Sequence, residues 1–411
     1  MTKSNIELTV HNDNSVSPPV RKGTNNDDIF LSSRNDTKED DIMFIIQMVT
    51  AILTIYQGRI NSKSTWAKTR QPLIRLKWEN YCGNMCPKLF QRKFRMEKLC
   101  FRQLCDKVIK AVGVEEFKSE SYIDRRRSRD VRFDSILLAQ EKTSGGFICG
   151  EVKLALTLRL LAGASYLDAN DIFHVKPNHT YAIMHYVLEN WICNDEVIAI
   201  DIMSYLQDEE EMNKNAIEFG HKTDNIFTKV IGALDGWLVK IRPPKKSDGV
   251  EHPATYFCRK GYHAINVQVI VNKREKILWR SIKSIGKCHD STAWKDTNLY
   301  NDLVQMADFL LDKNMFFVGD SAYSIRSFLL VPYDNAEDYK EKDNFNYFLS
   351  SCRIYVECAF GEIDLRFGIF WKKLAFDLHN STRVIDACLR LHNFLVEYRE
   401  TYAPKNLKRK V

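Results

Sequence analysis

The stretch VIGALDGWLVKI, residues 230–241, is apolar and β-branched apart from Asp235 and Lys240. Such a run reads as a strand, and apolar residues around the acid make it a central one. A carboxylate there is tolerated only when it is paired, hydrogen-bonded or bound to a cation. Outward from it, HAINVQVIV (263–271) and ILWRSIKSI (277–285) read as the next two strands. A helical stretch of about 291–308 follows, then a short apolar strand at 315–318. Beyond Tyr323 come a loop and two helices, about 351–367 and 381–398. Three strands, a helix, a strand and more helices make a mixed α/β domain, set at 228–400.

The N-terminal half has another texture. Apolar residues from Leu89 to Val108 recur at helical spacing, with Lys and Arg between them. Residues 151–193 read as three helices: Gly163 closes the first, Ser165 caps the second and Pro177 starts the third. Helix, tight turn, helix is the outline of a helix-turn-helix, although most such units are packing modules. The expected organisation is therefore a disordered tail (1–41), a helical basic region (42–200), a linker (201–227), the α/β domain and a basic tail (401–411). The acidic run Asp208–Glu211 marks the linker.

The chain has 411 residues, 60 Lys and Arg against 53 acids, and a net charge of +7. That balance alone does not argue for nucleic acid. Its distribution says more, because residues 57–107 hold thirteen Lys or Arg and three acids, while 1–41 hold five basic and eight acidic residues. A basic block beside a nearly balanced body suits a protein touching phosphate with one part, and equally a solvated helical face. The loop with Arg125, Arg126, Arg127 and Arg129 is open to the same two readings. Met1 begins a polar stretch, so no signal peptide is expected. The eleven cysteines then read as reduced thiols of the cytosol or nucleus. The apolar run 42–56 is interrupted by Gln47, Thr50 and Thr54, so it reads as a buried or partner-facing helix and not a membrane span.

Four acids stand where acids are costly unless used. Asp320 follows the apolar strand directly, and the carboxyl ends of strands are where open α/β sheets bind ligands. Glu357 lies on the first late helix, and Asp290 opens the helix before the fourth strand. Each has a plain structural explanation: Asp290 as an N-cap, Asp320 as a turn residue, Glu357 as a partner of Arg353 or Arg366. Asp235 has none. Two strand-associated Asp and a helical Glu meet the needs of a site for two Mg²⁺ about 4 Å apart, bridged by carboxylates on rigid elements. Hard cations prefer these oxygen ligands to the available His or Cys.

The order of these acids resembles the ribonuclease H-like core of DDE transposases. GALDGW, CRKGYHAINVQ (258–268), CHDS, GDSAY, VPY, VECAFGEIDLRF and LHNFL together resemble the PIF/Harbinger transposases and their domesticated nuclease relatives. The likeness covers about 230–397. It continues more faintly in FRMEKLCFRQLC and LRLLAGASYLDANDIFHV. It implies an α/β, ribonuclease H-like catalytic core, a mixed sheet with flanking helices, preceded by an all-helical N-terminal domain. It carries Asp235, Asp320 and Glu357 over as the catalytic triad, with 36 residues between the last two, and Asp290 as a fourth metal ligand. The implied cofactor is a divalent cation, Mg²⁺ or Mn²⁺, as two ions. DNA is the implied partner, with a Myb-like DNA-binding protein and a homo-oligomer, in the nucleus and away from membranes. Trp237 and Leu238 depart from the family's usual Thr and His, and Lys287-Cys288 from a small pair, which touches substrate contacts more than metal binding.

Other features compete. Cys82, Cys86, Cys100 and Cys105 invite a zinc reading, but their spacing is off the usual knuckle and the last pair falls inside a helix, so buried thiols are preferred. Arg259, Lys260, Tyr262 and His263 precede a strand near the acids and read as DNA contacts; a solvated turn is the alternative. Arg353 either neutralises a phosphate or pairs with Glu357. The expected function is a metal-dependent DNA nuclease and strand transferase. The rival is a catalytically silent relative acting as a chromatin or protein-interaction module.

Overall fold

A computed structural model describes residues 45–54, 76–118, 148–336 and 339–402. The tail 1–41, the arginine loop and residues 403–411 lie outside the described residues. The chain divides into two units, Met1–Gln71 and Pro72–Val411. In the first, residues 45–54 form helix α1, whose Ile45, Ile46, Ile52 and Leu53 are exposed. Among the described residues no helix is long and apolar enough to cross a membrane.

The second unit begins with helices α2 (Trp78–Gly83), α3 (Pro87–Phe94), α4 (Lys98–Val112) and α5 (Val114–Lys118). Rings of Trp78, Phe90, Phe94 and Phe101 meet at their centre. Next come α6 (Gly150–Leu161), α7 (Tyr166–Phe173) and α8 (Pro177–Val187), the last continuing as a π-helical turn over Leu188–Ile192. Ser165 caps α7 in a reciprocal capping box with Asp168, and Pro177 stands at the first turn of α8. In a helix-turn-helix, α8 would be the reading helix. Here Tyr181 and His185 of α8 meet the ring of Phe376 edge-on at 5.6 and 5.2 Å. Through these two side chains α8 packs on the α/β domain.

Residues 201–227, expected as a linker, hold helices α9 (Ile202–Gln207) and α10 (Glu209–Gly220). Asp208 caps α10, and Glu209, Glu210 and Glu211 fill its first turn, where acids favour the positive end of the helix dipole. The acidic run is thus a helix start. Met212, Ala216 and Phe219 of α10 are buried, which no linker achieves.

The sheet has five strands in the order β3-β2-β1-β4-β5. These are β1 (Val230–Lys240), β2 (Ala264–Val271), β3 (Ile277–Ile285), β4 (Phe316–Val318) and β5 (Leu329–Leu330). β1, β2 and β3 run antiparallel; β4 and β5 join parallel to β1. β5, two residues long, carries too little pattern to be read from sequence. One face of the sheet (Ala233, Val239, Val267, Val269, Val318) buries against α14 (Lys340–Arg366) and α15 (Leu378–Tyr402). The other (Ile231, Leu234, Ile270, Phe317) faces α9, α10, α11 (Asp290–Lys295), α12 (Asn298–Gln305) and α13 (Ala307–Asp312). A mixed sheet between two helical layers is the ribonuclease H-like core expected from the resemblance. α14 starts eleven residues before the expected 351, because Phe345 in its polar first turns packs on Phe227 and Tyr333.

Candidate active site

Register brings two of the acids together. Ala233 and Val318 are partners in the parallel β1–β4 ladder, so Asp235 and Asp320, each two residues further on, leave the sheet side by side. Side chains alternate across a strand. Asp235 therefore points with Ala233 toward α14, and Gly236 toward the opposite layer.

Asp235 is held with little help. Its Oδ1 accepts the amide of Gly236 at 2.8 Å, and its Oδ2 lies 3.7 Å from Arg353 Nη2. Burial pushes its pKa up to about 6. The Gly236 amide and Arg353 pull it back, and the charges of Asp320 and Asp290 raise it further. Arg353 also reaches Glu357, 3.9 Å away and one turn along α14. The guanidinium thus stands between two of the expected triad acids, and its buried Nε has no hydrogen-bond partner among the described residues. The Glu357 side chain is 62% exposed, and Arg353 is what ties it to Asp235. Asp320 closes its own turn by accepting the Ala322 amide at 3.0 Å.

Asp290 arrives from the other face. It is the first residue of α11 and not its cap, which is His289. Its Oδ1 accepts from Asn266 Nδ2 at 2.9 Å and Gln268 Nε2 at 3.1 Å. Gln268 also donates to Asn266 Oδ1, Asn266 donates to the Cys288 carbonyl, and the Tyr323 hydroxyl donates to Gln268 Oε1 at 2.7 Å. Burial and the three nearby aspartates hold the Tyr323 phenol well above its usual pKa, so it stays a donor. A Cβ on Gly236 would lie 2.3 Å from Asp290 Oδ1 and 2.8 Å from Gln268 Nε2. Only glycine lets this carboxylate lie across β1. The reading of the sequence missed Asn266, Gln268 and Tyr323 as site residues. The available signal was two amides at i and i+2 in the otherwise apolar AINVQVIV, which share one face of a strand.

Of the four expected DNA contacts, Arg259 reaches the acids, with Nη2 at 3.9 Å from Asp290 Oδ2. Lys260 is exposed on the same turn. Tyr262 carries Lys240 Nζ over its ring at 5.1 Å, and His263 meets Phe257 edge-on. Trp237, a departure from the family pattern, stacks on Phe360 of α14 at 5.7 Å and so belongs to the core.

Among the described residues no three His, Cys, Asp or Glu side chains stand close enough to form a metal cage. Mg²⁺ does not need one. It takes one or two carboxylates and completes its shell with waters and substrate phosphate. Asp235 and Asp320 fit that demand: hard oxygen donors, one of them largely buried, pressed by a third acid, with Arg353 beside Asp235. Zinc on the cysteines does not fit. Cys86 is exposed, Cys100 and Cys105 are buried in α4, and burial pushes the Cys100 thiol up to about 12 and that of Cys105 further. Zinc ligation needs the thiolate.

Residues 234–393 match the model of a DDE superfamily endonuclease family, a span that contains all four acids. Two curated relatives are each named "Putative nuclease HARBI1". The one from Xenopus laevis is 21% identical over 175 residues, 41% of this chain and 47% of the relative. The one from Mus musculus is 25% identical over 179 residues, 41% of this chain and 46% of the relative. The chain thus spans about half the length of the curated relatives it matches. No solved structure matches it. By these matches the domain built on β1–β5 is similar to DDE superfamily endonuclease domains, and part of the chain resembles the two HARBI1 relatives.

Proposed function

We propose that this chain is a divalent-metal-dependent nuclease that cleaves DNA phosphodiester bonds and joins strands, as PIF/Harbinger transposases do. The observation that carries the reading is Asp235. A carboxylate largely buried in a central strand, within the field of two other aspartates and 3.7 Å from one guanidinium, lowers stability in the absence of a cation. Asp235 and Asp320 hold the cation, Glu357 completes the set, and Asp290 assists from across the strand. Bound Mg²⁺ or Mn²⁺ supplies a polarised nucleophile and charge stabilisation at the leaving oxygen. The rest falls to the chain itself. Asn266, Gln268 and Tyr323 orient Asp290, and Arg259 and Arg353 offer positive charge to a phosphate. Under this reading the protein works in the nucleus beside a Myb-like DNA-binding partner and as an oligomer.

A second reading rests on Arg353. A guanidinium between Asp235 and Glu357 already fills part of a cation's role, as suits a catalytically silent interaction module. Calorimetric titration of Mn²⁺ into the purified protein and its Asp320→Asn variant separates the two. The nuclease reading expects binding in the parent, weakened or lost in the variant, and the same loss in nicking of a plasmid. Absence of binding in both, with a nicked duplex present, rejects it in favour of the module.

A further inference from the structure

We infer that a ribbon of lysines leading away from the carboxylates is the track on which the DNA backbone lies; the inference rests on the nuclease reading and deepens it. Three segments distant in sequence meet there. Residues 240–242, at the end of β1, pair with Leu374: the Leu374 amide donates to the Lys240 carbonyl at 2.9 Å, and the Arg242 amide to the Leu374 carbonyl at 2.8 Å. This sets Lys372 and Lys373 beside Lys240. Lys240 in turn lies over the ring of Tyr262, in the turn that carries Arg259 and Lys260. Arg259 closes the path at Asp290. Lys245 and Lys246 extend it beyond Arg242.

Lys240, Lys245, Lys246, Lys260, Lys372 and Lys373 are all exposed, and among the described residues none of them is in an ion pair. The nearby acids balance them only in part. Asp248 is taken by Arg242 at 2.8 Å and also feels Lys245, Asp377 is held by Asn380, Asp364 is half-buried near Tyr262, and Glu251 is the exposed acid of the loop. Like charges held side by side repel, and a polyanion relieves that by taking the place of small counterions. The ribbon begins at the site where a phosphodiester would react. That continuity favours a nucleic-acid backbone over an acidic peptide.

Phosphate contacts are counted by salt. Each one contributes about 0.9 to the slope of log affinity against log salt for duplex DNA. Fluorescence anisotropy with a labelled duplex over a salt series is run on the full chain, on Lys372→Gln/Lys373→Gln and Lys245→Gln/Lys246→Gln, and on Lys214→Gln of α10 as control. Each double variant is expected to shallow the slope by about 2 and weaken binding severalfold at fixed salt, leaving its Mn²⁺ titration and thermal midpoint as in the parent. The control keeps the parent slope. Unchanged slopes in both double variants, or lost binding to a polyglutamate peptide with duplex binding intact, overturn the track. Either result beside preserved Mn²⁺ binding rejects the track alone, whereas absent Mn²⁺ binding in the parent rejects the nuclease reading beneath it.

Discussion

Asp235 and Asp290 lie on opposite faces of the same strand and are held by opposite means. Asp290 rests in a closed amide network in which Asn266, Gln268 and Tyr323 each have a partner. Each acid has a guanidinium nearby, Arg259 at 3.9 Å from Asp290 and Arg353 at 3.7 Å from Asp235, but Asp235 has beside it only one backbone amide. A satisfied polar network rigidifies what it holds, and an under-satisfied buried charge stores a demand for a ligand. The difference separates a group that is positioned from a group that is waiting. It makes Asp235 the acid whose environment a cation changes most.

The sharpest way to break this contrast is pH. Burial raises the Asp235 pKa from 3.8 to about 6, so the folded chain keeps this proton to higher pH than the unfolded chain. Its contribution to stability is complete below about pH 4 and is lost as pH rises through 6. A gap of about two pH units between the folded and unfolded chains corresponds to about 3 kcal/mol at most. Thermal unfolding of the metal-free protein should show a falling midpoint over that window, and Asp235→Asn should flatten it. Mn²⁺ at a pH above the window should recover the loss in the parent and not in the variant. A profile that is identical in parent and variant would remove the distinction between the two acids.

A smaller effect tests the other face. Gly236→Ala places a methyl against Asp290 and Gln268, and overpacking of this kind costs roughly 1–3 kcal/mol. Its unfolding midpoint should drop while the pH window of Asp235 survives, since that carboxylate points the other way. Smaller again is Gln268→Leu, which leaves the Tyr323 hydroxyl and Asn266 Oδ1 short of a partner at a cost of about 1–2 kcal/mol. Mn²⁺ affinity should fall less in Gln268→Leu than in Asp320→Asn. Equal losses would make the amide network as important to cation binding as the ligands themselves.

Much of this was legible from residues 230–241 outward. β1 to β4, the cap at Ser165, the helix start at Pro177 and the oddness of Asp235 follow from local chemistry, because alternation, β-branching and capping act within a few residues. The helix α10 was also written there, in Met212, Ala216 and Phe219 at helical spacing behind the cap Asp208. Its acidic first turn masked that signal, since composition alone does not separate a helix dipole's counter-charges from a solvated linker. β5 and the polar first turns of α14 gave no local sign, because the first rests on pairing with β4 and the second on the ring of Phe227.

The sequence by itself determined the strands, most helices and the presence of an acid where an acid is costly. Only the tertiary structure decided where each acid points. Asp290 meets Gly236 across 54 positions, and Arg353 meets Asp235 across 118. Contacts of that separation depend on strand register and helix packing. A one-residue slip in register turns every side chain to the other face, so no local pattern could have assigned Asp235 to the side of Arg353 and Asp290 to the side of the amides.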